Sequence, residues 1–368
     1  MSLVTFLGIY FVNRLKMDVA AVGIAFLCES MMRGLAAPAF GALSDRIGRR
    51  ALLVGAAVGT ALVLPCFLLV QGPASLLVWS LAMGITGAAN MPVATALLVD
   101  LAPPERRQSV LALNYTTMSV AYTIAVMPAG YIAEKGYGLL AAISCAGYVV
   151  VALLYGVFLR TSVKPGAERS GFVRDTVFVF RDRAFLLFAA LAFVFPLSMG
   201  LVVTVSPIFG ADLGLGEGYI GLVLGGNSII VAALALPVAA RMEVGGPFRL
   251  LGLAAILVAL AFVAYGTLPH AATALLVGTI VFSFGELIFS SAVPASVARL
   301  APPERRGAYQ GGWALVASFS MGSALVLSGF LQERVGWQGA WLACAATLVL
   351  AAAALTAARR RLLERAQH

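Results

Sequence analysis

Long apolar runs alternate along this chain with short polar breaks rich in Gly, Pro, Arg and Asp. A helix rises 1.5 Å per residue, so about twenty residues cross a hydrocarbon core of about 30 Å. The pattern predicts twelve membrane helices, segments 1 to 12, near 2–12, 19–43, 51–71, 74–100, 107–133, 138–159, 184–210, 218–240, 247–268, 271–298, 307–331 and 337–358. Internal prolines such as Pro65, Pro92, Pro128, Pro196, Pro207 and Pro294 fit membrane helices, where neighbouring helices satisfy the freed backbone groups. The one long connection, 160–183, carries six basic and three acidic residues and divides the chain into bundles at 1–159 and 184–368.

The string LAPPERR occurs at Leu101–Arg107 and again at Leu300–Arg306, 199 positions apart. The same offset pairs Pro38 with Pro237, Arg50 with Arg249, Gly130 with Gly329 and Glu134 with Glu333. A heptamer does not recur by chance in so short a chain, so the two halves read as one duplicated unit. The expected fold is an all-α polytopic membrane protein of two pseudo-symmetric six-helix bundles. Segments 3, 6 and 12 hold no charged residue and segment 9 only Arg249 at its start, whereas segments 2, 4, 5, 8, 10 and 11 carry polar groups. Every third helix therefore suits lipid, and the others suit a central solvated cavity between the bundles.

Composition agrees: 61% of residues are hydrophobic, 11% are charged and mean hydropathy is +0.97, against about 25% charged in soluble domains. The net charge of +9 is a matter of placement. Twenty of the 25 Lys and Arg fall in alternate loops, the central connection and the C-terminal tail. That asymmetry puts the central connection and the C-terminus in the cytoplasm and makes the bilayer, not nucleic acid, the partner. The four cysteines lie within segments without metal or redox spacing and read as small apolar residues. No metal cluster, nucleophile–base set or nucleotide loop points to an enzyme.

Between segments 2 and 3 stands GALSDRIGRRALL, Gly41 to Leu53. It resembles the cytoplasmic signature loop of the major facilitator superfamily, matching it at Gly41, Leu43, Asp45, Arg46, Gly48, Arg49 and Arg50. The stretch from Phe284, FGELIFSSAVPASVARLAPPERRGAY, is similar to the corresponding region of bacterial drug and metabolite exporters of that superfamily. The resemblance implies a monomeric secondary transporter of the bacterial cytoplasmic membrane. It implies too that Asp45 sits at the start of segment 11 and that Arg49 or Arg50 pairs with Asp100, latching the halves on the cytoplasmic side. There are departures: the second half has no Asp-Arg pair, Ser80 stands where many proton-driven exporters carry arginine, and segment 5 has only Met127–Gly130 of a fuller glycine pattern.

Charges at mid-depth are costly and usually functional. Glu29 and Arg33, four apart, share a helix face and suit either a coupling pair or a packing ion pair. Glu286 has no basic neighbour in sequence and is the first candidate for a proton-titrating carboxylate; a packing role or a bond to Arg33 is the alternative. Asn90, Asn114, Tyr115, Asn227 and Gln310 suit substrate contacts or interhelical hydrogen bonds. These residues lead to an expectation of alternating-access transport driven by a proton gradient without a bound cofactor. Export of a small amphipathic or metabolite-like substrate comes first, nutrient uptake second and a non-transporting sensor third. Segment 1, Ser2 to Val12, spans only ~17 Å, and the repeat offset puts its start upstream of Met1, so an incomplete first helix is expected.

Overall fold

The computed structural model describes residues 2–103, 107–159, 178–242, 247–302 and 305–365. The helices are α1, Ser2–Ile9 with a π-turn at Tyr10–Arg14; α2, Val19–Ile47; and α3, Arg49–Val63 with a 3₁₀ turn at Leu64–Leu69. Next come α4, in two pieces at Pro73–Gly87 and Asn90–Leu101; α5, Arg107–Lys135; and α6, Tyr137–Phe158. The second half opens with α7, in pieces at Arg183–Ala192, Val194–Gly200, Leu201–Val205 and Ser206–Asp212, then α8, Glu217–Met242, and α9, Pro247–Thr267. It continues with α10, Ala271–Leu300, and with α11 and α12, which share the run Arg306–Arg365 and part at Gly336.

Nine stretches among the described residues are long and apolar enough to cross a membrane. One of them, Gly307–Ala358, holds 52 residues and makes two passes, because Gly336 adopts φ 67°, ψ 177° inside it. The repeat is legible in the coordinates: adding 199 carries the start of α5 at Arg107 onto the start of α11 at Arg306, and the end of α4 at Leu101 onto the end of α10 at Leu300. The helices are less regular than periodicity suggests. The 3₁₀ turn of α3 includes Pro65, and the pieces of α7 include Pro196 and Pro207, where the missing N–H and the ring disturb the ladder. Most of the central connection, 160–177, lies outside the described residues; the chain reaches α7 through Asp182, whose carboxylate accepts the Ala184 N–H at 2.8 Å.

Helices α3 and α6 pack together, as do α9 and α12, and their outer faces expose Leu62, Leu69, Val157, Phe158, Leu260 and Leu350. An apolar surface of that extent belongs against acyl chains. The two halves meet through α2 on α11, α5 on α8 and α1 on α7. Along α2 the approach to α11 opens steadily. A Cβ added at Gly23 would lie 2.5 Å from the Val326 nitrogen, one at Gly34 would lie 3.6 Å from Leu315 Cδ2, and one at Gly41 would meet nothing within 4 Å. From the α11 side, Gly307 and Gly311 also face open space. The seam is therefore a wedge, shut at the end carrying Arg14 and open at the end carrying the signature loop.

Candidate functional site

In the second half, α8 and α10 bring polar side chains together inside an apolar bundle. Glu286 sits at the midpoint of the 30-residue α10 and is buried. The Asn227 amide of α8 donates to Glu286 Oε2 at 3.0 Å and to Ser283 Oγ at 2.9 Å. Ser283 in turn donates to the Thr279 carbonyl at 2.9 Å, one turn back along α10. Glu286 thus accepts from a neutral amide. An ionised carboxylate there would lack a compensating charge within this network, a costly arrangement in a low-dielectric interior.

The first half answers with a charge pair. Arg33 bonds Glu29 one turn earlier on α2, and Glu29 is buried. A Cβ added at Gly84 would lie 2.7 Å from the Glu29 carbonyl, and one at Gly87 would lie 3.2 Å from the Arg33 guanidinium. These glycines let α4 and its charged neighbour α2 touch closely, and α4 breaks just beyond Gly87, resuming at Asn90. The offset of 199 carries Glu29 onto Ser228 and Gly87 onto Glu286. The duplicated site has therefore diverged: an internal ion pair leans on a glycine in one half, and a lone carboxylate bonds an amide in the other.

In the first half, the Tyr122 hydroxyl of α5 pairs with Thr5 of α1 at 3.2 Å. Sequence reading passes over both as site residues, because one hydroxyl on a long apolar helix carries no spacing signal. Asn114 lies away from this cluster and contacts Met118 Sδ at 3.8 Å, while Gln310 donates to the Pro294 carbonyl at 2.9 Å. The side chains of Tyr115, Asp45 and Asp100 lie outside the described residues. In the signature loop, Gly48 holds φ 91° and ends α2, its N–H bonding the Ser44 carbonyl, which explains a glycine there. Arg46 is exposed, Arg49 is partly buried, and Arg50 donates to the Gly156 carbonyl of α6.

The family model described as Major Facilitator Superfamily matches residues 1–213 and 190–367, covering both halves. The chain belongs to the major facilitator superfamily. The Na(+), Li(+), K(+)/H(+) antiporter of Planococcus maritimus is 26% identical over 344 residues, covering 83% of this chain and 79% of that protein. The multidrug resistance protein MdtG of Dickeya zeae is 28% identical over 149 residues, 40% of this chain and 36% of that protein. Among solved structures, a mutant form of the nucleoside transporter NupG superposes with a TM-score of 0.83 at 18% identity, covering 97% of this chain and 95% of that one. At that identity the likeness speaks for the fold.

As a member of this superfamily the chain is a multi-pass membrane transporter and not an enzyme. Its shut end is built from residues that sequence reading passed over. Glu134 of α5 accepts the Gly218 N–H of α8 at 2.8 Å. Arg14 lies 3.5 Å from Glu217, and the Tyr137 hydroxyl donates to the Phe6 carbonyl at 3.2 Å and reaches Glu217 at 3.5 Å. The signal was available: the repeat offset pairs Asp18 with Glu217 as well as Glu134 with Glu333.

Proposed function

We propose that this transporter exchanges protons for a small cationic or amphipathic solute by alternating access, exporting the solute. Glu286 is the group that alternates between proton and solute. The observation that carries this reading is a buried carboxylate at the midpoint of α10, bonded to a neutral amide of α8. Such a group takes up a proton when sealed from water and releases it when the cavity wets or a cation enters. The names of the two relatives support exchange and a cationic or drug-like solute. The imposed ion gradient supplies the bias, and both halves of the site come from one chain, which supports a monomer needing no cofactor.

The charge asymmetry supports an orientation in the bacterial cytoplasmic membrane with the signature loop inside. In that orientation the wedge faces the cytoplasm, and the Asp45 latch belongs to the opposite conformation, in which α2 and α11 meet at their inner ends. Asp45→Asn should then weaken the outward-facing state, raising labelling of a cavity cysteine from the cytoplasmic side. Unchanged labelling together with unchanged transport would remove the latch from the account.

Proteoliposomes under an imposed pH gradient test the function itself. The panel should hold Na⁺, K⁺, Li⁺, a lipophilic cation and a neutral nucleoside. Proton efflux driven by one of the cationic members is expected. Solute moving in the same direction as the proton would replace exchange with uptake, and no solute-dependent proton flux for any member would overturn the proposal.

A further inference from the structure

The start of α8 is capped from the other half of the molecule. A helix leaves its first backbone N–H groups without partners inside the helix, and a side chain at the cap position ordinarily supplies one. In α8 that position is Gly216, whose carbonyl accepts the Ile220 N–H at 3.2 Å and which has no side chain to offer. The acceptor comes instead from α5, where Glu134 Oε1 takes the Gly218 N–H at 2.8 Å. Two glycines make room for it. A Cβ added at Gly216 would lie 2.6 Å from that oxygen, and one at Gly218 would lie 3.1 Å from it. Glu134 stands one turn beyond Gly130, where α5 packs directly on the α8 backbone.

The equivalent helix of the first half caps itself. The repeat offset carries Asp18 onto Glu217, and Asp18 precedes α2 and accepts the Ala21 N–H at 2.9 Å. Glu217 has turned from its own helix toward the first half, where it lies 3.5 Å from Arg14 and 3.5 Å from the Tyr137 hydroxyl. A self-cap in one repeat has thus become a cross-cap in the other. Of the two carboxylates that bridge the seam here, Glu134 makes the stronger contact. It accepts a backbone N–H at the positive end of a helix, a charge-assisted bond. The Arg14 side chain opposite Glu217 is 57% exposed, and an ion pair of that kind contributes little.

We propose that Glu134 is a detachable cap that holds this end shut by completing α8 from the other half, and that the end opens when the carboxylate leaves. On opening, the Gly218 N–H finds water, so the cap biases closure without locking it. The cap rests on the alternating-access reading, but it concerns conformation alone and needs neither a solute nor a gradient to be observed.

The test uses the full chain in lipid nanodiscs, with Cys28, Cys66, Cys145 and Cys344 changed to Ala and spin labels at A74C and T273C, exposed positions at this end on opposite halves. Double electron–electron resonance reads the distance between them. Glu134→Ala should raise the long-distance population about 5- to 30-fold, the ratio that losing one helix cap supplies. Acetate at constant ionic strength should return this variant to the shut state by supplying the missing carboxylate, and the neutral isostere acetamide should not. Gly216→Ser tests the same contact without weakening α8, because serine caps the helix itself while its Cβ takes the space of Glu134 Oε1. This end should then open, and acetate should have no effect. Arg14→Gln should shift the population less than Glu134→Ala does. The proposal is overturned if Glu134→Ala stays as shut as the parent, if acetate and acetamide act alike on it, or if Gly216→Ser stays shut. Driven flux in the parent combined with any of these results would remove the cap and leave the transport function standing.

Discussion

Glu286→Gln abolishes gradient-driven transport while solute still binds and still undergoes counterflow, the exchange of labelled for unlabelled solute across the membrane without a gradient. The glutamine keeps the size and hydrogen-bonding capacity of the side chain, so the Asn227 contact at 3.0 Å has a replacement. What it removes is the ability to gain and lose a proton at the midpoint of α10. Driven accumulation should fall to background, and counterflow should stay within about threefold of the parent, the spread expected for a small change in binding free energy. Should driven transport of the variant keep the parent's pH dependence, coupling belongs elsewhere, and the Glu29–Arg33 pair on α2 becomes the group to examine.

Gly130→Val blocks closure at the Arg14 end. A Cβ at Gly130 would collide with the Glu217 carbonyl and come within 3.2 Å of Gly218 Cα, backbone atoms that no rotamer change can move aside. Overpacking of this kind costs about 1–3 kcal/mol, which shifts the open-to-shut ratio about 5- to 150-fold. A cysteine introduced at Ser228, buried while this end is shut, should become reactive toward an impermeant maleimide added from that end, and transport should fall at least about tenfold. Gly147→Ala on α6 is the control, since a Cβ there meets nothing within 4 Å and alanine favours a helix by up to about 1 kcal/mol. Parent-like labelling and flux in Gly130→Val would mean that the seam yields and the shut end is not set by this contact.

The fold was legible because its determinants are local or repeated. Twenty-residue apolar runs, alternate basic loops and the two LAPPERR strings fix helix number, order and symmetry without reference to tertiary contacts. The lipid-facing assignment of segments 3, 6, 9 and 12 followed from the scarcity of charge in them, Arg249 at the start of segment 9 being the exception, and the outer faces of α3, α6, α9 and α12 carry exposed Leu62, Val157, Leu260 and Leu350. Helix irregularity was harder to read. The break after Gly87 lies where the Arg33 guanidinium of α2 packs against α4, a contact between distant residues, and the pieces of α7 include Pro196 and Pro207, whose effect depends on neighbouring helices.

The site was legible in part for the same reason. Charges at mid-depth announce themselves, so Glu29, Arg33 and Glu286 stood out, and i,i+4 spacing alone made an ion pair of the first two. Asn227 stood out as polar, but its bond to Glu286 joins residues 59 apart. Tyr122 and Thr5 come from opposite ends of the first half, 117 residues apart, and only packing of α5 on α1 brings them together. Asn114 and Gln310 show the converse: polar residues on helical faces that bond a nearby methionine and a backbone carbonyl.

The central claim is that Glu286 holds either a proton or the solute, and proton release on solute binding tests it most directly. Purified protein is titrated with the transported solute in weakly buffered solution containing a pH-sensitive dye. The parent should release protons in proportion to the protein present and saturate with the binding curve, while Glu286→Gln should bind without release. Equal proton release from the parent and from Glu286→Gln, or binding by the parent with no release at any pH, would contradict the account.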